Sequence, residues 1–166
     1  SHSYSYIKNA NDATKHAILT LCNKILETGE IPKDWETVII LPILKPERDP
    51  TKSESYRPIS LISCYEKVFE RLLKNRLDWF LEKNNLLPGY QMGFRKARGT
   101  IQAVLILVST LQAALAEDKE TAVLFLDLKS AYDNVHLPKL LDIMKGMKIP
   151  KKIRRCVEAL FINRKI

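Results

Sequence analysis

The segment "AVLFLDLKSAYDNV", Ala122–Val135, sets one aspartate, Asp127, at the end of a run of five apolar residues. A carboxylate at the carboxyl end of a buried strand suits a hard cation such as magnesium, with a backbone carbonyl nearby as a second donor. Magnesium keeps most of its waters and fills its octahedron with phosphate oxygens or further carboxylates, so a single aspartate binds it weakly. Two-metal phosphoryl transfer requires at least one more carboxylate on a neighbouring strand, holding the ions about 3.5–4 Å apart. Taken alone, Asp127 is more commonly a cap for the turn or helix that follows.

Three groups of cations bear on the same chemistry. Lys45 closes the stretch "TVIILPILK", and Arg57 lies in "YRP", where Pro58 pushes the arginine toward an extended backbone. A guanidinium fork grips phosphate bidentately, whereas an ammonium acts as a point charge. Ordinary surface cations are the alternative reading of both. The loop "GFRKARGT" sets Arg95, Lys96 and Arg98 between two glycines, which suits a phosphate backbone followed without reading bases. The third group is the C-terminal segment. Of the net charge of +8, the stretch 145–166 carries +7, with eight basic residues against Glu158 alone. Lys151, Lys152, Arg154 and Arg155 form its densest part and suit nucleic acid; a solvated helix face is the alternative.

The elements that must position these groups are mostly helical. Residues Asn11 to Leu26 show helical spacing of Ala17, Ile18, Leu21, Cys22, Ile25 and Leu26, with Gly29 as a stop. "IPKDW" is a turn, and Thr37 to Lys45 reads as a strand, with Pro42 arguing for an edge or a break rather than a central strand. The polar, proline-punctuated loop "PERDPTKSESYRP" follows. Tyr65 to Asn84 carries a clear stripe of Val68, Phe69, Leu72, Leu73, Leu77, Phe80 and Leu81. Ile101 to Ala116 is apolar enough to predict a largely buried helix. Thr121 to Asp127 reads as a buried strand, Pro138 to Met147 as a helix, and the chain after Pro150 as a last helix with Ile153, Val157, Leu160 and Phe161 on one face. Strands are few for so many helices, so the fold class expected is α+β with sheet partners missing.

Composition excludes several classes. The chain has 166 residues, 46% hydrophobic and 28% charged, the balance of a globular domain or part of one. No apolar run reaches the roughly 18–20 residues of a membrane span. The opening "SHSYSYIKNAND" has no apolar signal core. Cys22, Cys64 and Cys156 are odd in number and far apart, matching neither a disulfide framework nor a zinc spacing, and predict reduced thiols in the nucleus or cytoplasm.

"FLDLKSAYDNV" resembles the first catalytic motif of reverse transcriptases, in which an apolar strand delivers an aspartate and an aromatic follows five residues later. "WETVIILPILKP", "SYRPISLISCYEKVFERLLKNRL" and "YQMGFRKARGT" match the same family in the same order. Together they are similar to the fingers and early palm of a non-LTR, LINE-type retrotransposon enzyme. The resemblance implies a right-hand polymerase fold with an N-terminal helical extension over 1–35, fingers over 36–119, and the start of an incomplete palm over 120–166. It implies that Asp127 is catalytic and binds magnesium together with the backbone carbonyl of Leu128. Lys45 and Arg57 would bind the nucleotide triphosphate, and Tyr132 would exclude a ribose 2′-hydroxyl from beneath the sugar; a core tyrosine is the alternative. Asp133 belongs to the pattern as a turn or cap residue. Arg95, Lys96 and Arg98 would lie against an RNA template and DNA primer, with Gln91 and Phe94 in the same pattern and Phe94 as an anchor in the core.

The family's second metal-binding element, a Tyr-x-Asp-Asp hairpin, does not occur in this sequence, which holds no Asp-Asp pair. The chain as given is therefore expected not to polymerise and not to hold magnesium stably. Two functional classes remain open at this point. One is a piece of an RNA-directed DNA polymerase; the other is a non-catalytic module that binds nucleic acid or a protein partner, with self-association through an uncovered palm edge.

Overall fold

A computed structural model describes residues 7–162 and 164. Among the described residues the longer regular elements are α1 Asp12–Thr28, β1 Ile39–Leu44, β2 Tyr56–Leu61, α2 Cys64–Lys83, α3 Thr100–Ala116, α4 Leu137–Gly146 and α5 Lys151–Ile162, with short 3-10 turns at Lys33–Trp35 and Ser53–Ser55. The fold class is α+β, with helix predominant. The N-terminal signal reading and Lys165 fall wholly or partly outside the described residues.

The helix ends follow local chemistry. Asn11 caps α1, its side-chain oxygen accepting from the Thr14 N–H at 2.8 Å. Gly29 stops α1 at φ 74°, and its N–H donates to the Ile25 carbonyl at 2.8 Å. The Arg155 guanidinium also donates to the Thr28 carbonyl, so a residue on α5 closes α1. A Cβ at Gly29 would stand 3.1 Å from the Arg155 side chain.

β1 and β2 pair antiparallel, with Ile43 opposite Arg57 and Pro42 opposite Pro58. The Lys45 N–H donates to the Ser55 carbonyl at 2.8 Å, which fixes 45/55, 43/57 and 41/59 as the bonded pairs. The two prolines therefore meet at a pair that makes no ladder bonds, the position in a strand that tolerates them. The loop between the strands carries its own bonds. Asp49 accepts from the Thr51 N–H and hydroxyl at 2.9 and 2.7 Å, and the Tyr56 hydroxyl donates to the Pro50 carbonyl at 2.9 Å.

The chain divides into two compact units, Ser1–Leu77 with Leu137–Ile166, and Asp78–His136. All the buried apolar residues belong to the first: Cys22 and Ile25 of α1, Trp35 and Val38, Phe69 and Leu73 of α2, Met144 and Ile149, and Ile153, Cys156 and Leu160 of α5. Trp35 and Phe69 pack with ring centroids 6.1 Å apart. Glu66 is buried in the same unit, where Arg164 reaches both Glu66 at 2.7 Å and Glu70 at 3.0 Å. Burial pushes the Glu66 carboxyl above its usual range, and the guanidinium partly offsets this. Cys22, Cys64 and Cys156 are free thiols, and burial raises Cys22 and Cys156.

The second unit corrects two expectations of burial. No residue of α3 is buried, although the helix is apolar nearly all round. Thr121–Asp127 forms no strand, and Leu124, Phe125 and Leu126 are exposed. A strand exists only through its ladder, since its backbone groups pair with a neighbour. Among the described residues no strand offers that neighbour. Phe161 of α5 is likewise exposed rather than on the covered face, where Cys156 stands instead. No described helix is long and apolar enough to cross a membrane.

Candidate active-site and nucleic-acid surface

The hairpin gives Lys45 and Arg57 a common side. Paired residues in an antiparallel sheet project to the same face, and side chains alternate with a period of two. Arg57 is opposite Ile43, and Lys45 follows Ile43 by two residues, so the register sets both cations on one face. Arg57 is exposed, and the half-buried Lys45 donates its ammonium to the Glu54 carbonyl at 2.7 Å. That bond orients the lysine at the hairpin's loop end.

Asp127, Leu128 and Tyr132 lie in the other unit, on an exposed segment without regular structure and the turn after it. The turn is closed by the Asn134 N–H donating to the Ser130 carbonyl at 3.1 Å and by the Asn134 amide donating to the Lys129 carbonyl at 3.3 Å. Ser130 takes φ 52°, the left-handed value that reverses the chain. Tyr132 stands exposed beside Asp133. Among the described residues no three His, Cys, Asp or Glu side chains gather as a metal site.

The loop after α2 is organised by its arginines. Arg95 makes a two-pronged contact with Glu82, Nε to Oε1 at 2.8 Å and Nη2 to Oε2 at 2.7 Å, and its side chain is only 8% exposed. It also donates to the Pro88 carbonyl at 2.8 Å. Arg98 donates to the Gly89 carbonyl. The Arg95 bonds hold the Glu82 carboxyl below its usual range and raise Arg95. Lys96 is left exposed at the tip. Phe94 is 84% exposed at φ 61°, so it does not anchor the loop in a core. Sequence reading had no means of finding Glu82, which lies 13 residues before Arg95 and shares no motif with it.

In the basic C-terminal segment, Lys151, Arg154 and Arg155 line a cleft between α4 and α5 together with Lys145, and Lys152 does not. Arg154 donates from Nε to the Ile149 carbonyl at 3.0 Å, while Arg155 is the residue that closes α1.

Residues 43–165 match the family described as reverse transcriptase (RNA-dependent DNA polymerase). The chain belongs to this family. Among similar proteins, a probable RNA-directed DNA polymerase from transposon BS of Drosophila melanogaster is 36% identical over 125 residues, which cover 75% of this chain and 14% of the relative. The RNA-directed DNA polymerase from mobile element jockey of the same fly is 37% identical over 141 residues, 84% of this chain and 15% of the relative. A probable RNA-directed DNA polymerase from transposon X-element, also of that fly, is 33% identical over 134 residues, 80% of this chain and 15% of the relative. These relatives make it a reverse transcriptase sequence of the non-LTR retrotransposon type. It spans about one seventh of their length.

Proposed function

We propose that the chain is the portion of a non-LTR reverse transcriptase that carries the fingers and the opening of the palm, divided at about residues 35/36 and 119/120. It serves RNA-directed DNA synthesis on an RNA template with a DNA primer, in company with a second carboxylate motif that this sequence does not contain. Two observations support this reading above the others. The Asp127–Tyr132 motif falls within the family match, and the hairpin register gathers Lys45 and Arg57 on one face.

The roles follow from the chemistry of each group. Lys45 and Arg57 neutralise the triphosphate of the incoming nucleotide, the arginine through its fork and the lysine as a charge fixed by Glu54. Asp127 and the Leu128 carbonyl would be this chain's donors to a magnesium ion completed by further oxygens, which would supply positive charge at the reacting phosphate. Tyr132 lies beneath the sugar and leaves no volume for a 2′-oxygen. The loop holding Arg95, Lys96 and Arg98 meets the template–primer backbone, with the two arginines keeping its form and Lys96 presented outward. Lys151, Lys152, Arg154 and Arg155 add a second basic contact with nucleic acid. Left uncovered, the apolar run before Asp127 and the exposed α3 favour self-association.

Primer extension on an RNA template with magnesium and deoxynucleotides tests the reading. The chain alone gives no product. The same chain joined to a downstream Tyr-x-Asp-Asp segment of its own element extends the primer, and Asp127→Asn abolishes that product. Tyr132→Ala in the joined protein admits ribonucleotides. Extension that survives Asp127→Asn would overturn the assignment.

A further inference from the structure

The cleft between α4 and α5 encloses about 380 Å³ and is lined by Pro138, Leu141, Asp142, Lys145, Lys151, Arg154, Arg155 and Glu158. Four cations and two carboxylates give it a net charge of +2. Its walls are firmly held. Met144 of α4 and Ile153, Cys156 and Leu160 of α5 are buried, and Ile149 in the connecting turn is buried with them. Arg155 fastens α5 to the end of α1, and the Cys156 thiol lies 3.6 Å from the Ile25 carbonyl. Among the described residues neither Lys145 nor Lys151 takes part in an ion pair, although Asp142 and Glu158 line the same space. Arg154 is steadied through Nε by the Ile149 carbonyl.

We infer that this cleft is a groove for the phosphodiester backbone of nucleic acid, gripped by Lys145, Lys151 and Arg154, with Arg155 as a positioning residue for α5. The inference rests on the reverse-transcriptase reading and sharpens it, because it moves the basic contact from a helix face to a defined trough and adds Lys145. Three features select this ligand. The lining has no aromatic residue, so there is no platform on which a base could stack, and recognition falls to the backbone. Among the described residues Lys145, Lys151 and Arg154 take part in no ion pair, which leaves their charge available to phosphate. The two carboxylates disfavour a compact, multiply charged group such as a free triphosphate, while they leave room for phosphates spaced along a strand. They also weaken the grip, which suits a nucleic acid that must move past.

Binding of a fluorescein-labelled single-stranded RNA, followed by anisotropy at several potassium chloride concentrations, tests the groove against general surface charge. Two double variants remove the same charge: Lys145→Gln with Lys151→Gln inside the cleft, and Lys24→Gln with Lys148→Gln outside its lining. All four lysines are exposed, so folding is retained in both, and circular dichroism verifies this. The cleft pair should weaken binding about tenfold at 0.1 M salt and flatten the log–log salt slope by about 1.4, from two lost phosphate contacts. The outer pair should change affinity by less than about threefold. Asp142→Asn with Glu158→Gln should tighten binding. Equal loss from the two lysine pairs, an unchanged slope in the cleft pair, or no RNA binding by the parent chain at low salt would each overturn the groove. Asp127→Asn should leave this binding untouched, so failure of the groove is separable from failure of the catalytic reading.

Discussion

Phe69 and Phe125 are the same residue with opposite surroundings. Phe69 is 2% exposed in the unit built from Ser1–Leu77 and Leu137–Ile166, packed on Trp35; Phe125 is 81% exposed in the unit Asp78–His136, amid a run of apolar neighbours. Hydrophobicity does not separate them, because α3 and the segment before Asp127 are more uniformly apolar than α5. Partnership does. The amphipathic helices of the first unit each present a stripe that another element of that unit can meet, and a single core results. The second unit is instead held by polar bonds, above all Arg95 on Glu82, while its apolar groups have no cover among the described residues.

The sharpest way to break this contrast is to delete the two rings. Phe69→Ala should lower unfolding stability in urea by about 3–5 kcal/mol, as expected for a buried phenylalanine that leaves a cavity. Phe125→Ala should change it by no more than about 0.5 kcal/mol. Comparable losses at both positions would mean that the run before Asp127 is buried in solution and that the contrast is false.

A smaller effect sharpens the comparison through Arg164. Arg164→Ala leaves the buried Glu66 carboxylate without its guanidinium and should cost about 1–3 kcal/mol in the same measurement. Glu66→Gln made together with Arg164→Ala should recover part of that loss. If it recovers nothing, the pair is not coupled as its 2.7 Å contact indicates.

The smallest effect is the most diagnostic, because Glu66 and Glu82 are carboxyls shifted in opposite directions. Glu66 is raised on folding, so it holds protons more tightly in the folded state. Its contribution is greatest below the ordinary carboxylate range and declines as pH rises through the raised value. Glu82 is lowered by Arg95, so its contribution is present above the ordinary range and is lost as pH falls through the lowered value. Thermal midpoints of Glu66→Gln, relative to the parent, should improve as pH rises from 4 to 7. Amide exchange in residues 88–98 should quicken on acidification in the parent, and Glu82→Gln should remove that dependence. The same sign for both groups would show that the Arg95 bonds do not form in solution.

What the sequence revealed follows the range of the forces involved. Asn11 and Gly29 mark the ends of α1 because a cap is satisfied within four residues, and the stripes of α2 and α5 are written in helical spacing. Pro42 correctly pointed to an edge strand, and the extended backbone expected at Arg57 became β2. Burial was less legible. The apolar run at 122–126 is a strand only in the presence of neighbours, and nothing within it specifies them. Glu66 sits in register with Phe69 and Leu73, so its burial depends on Arg164, 98 residues away. Arg95 reads as a phosphate contact from its loop alone, and only the structure shows its guanidinium on Glu82. For the site, the order of the motifs carried the family, while the register of the hairpin shows that Lys45 and Arg57 lie on one face.

The meeting of Pro42 and Pro58 has a consequence for how copies of this chain avoid one another. At that position the missing hydrogens would have pointed outward, one along each free border of the hairpin. An intruding strand that tried to dock on either border would meet a ring where it needs a donor, so the hairpin resists templated stacking. The exposed apolar run Ala122–Leu126 contains no proline and has no such guard.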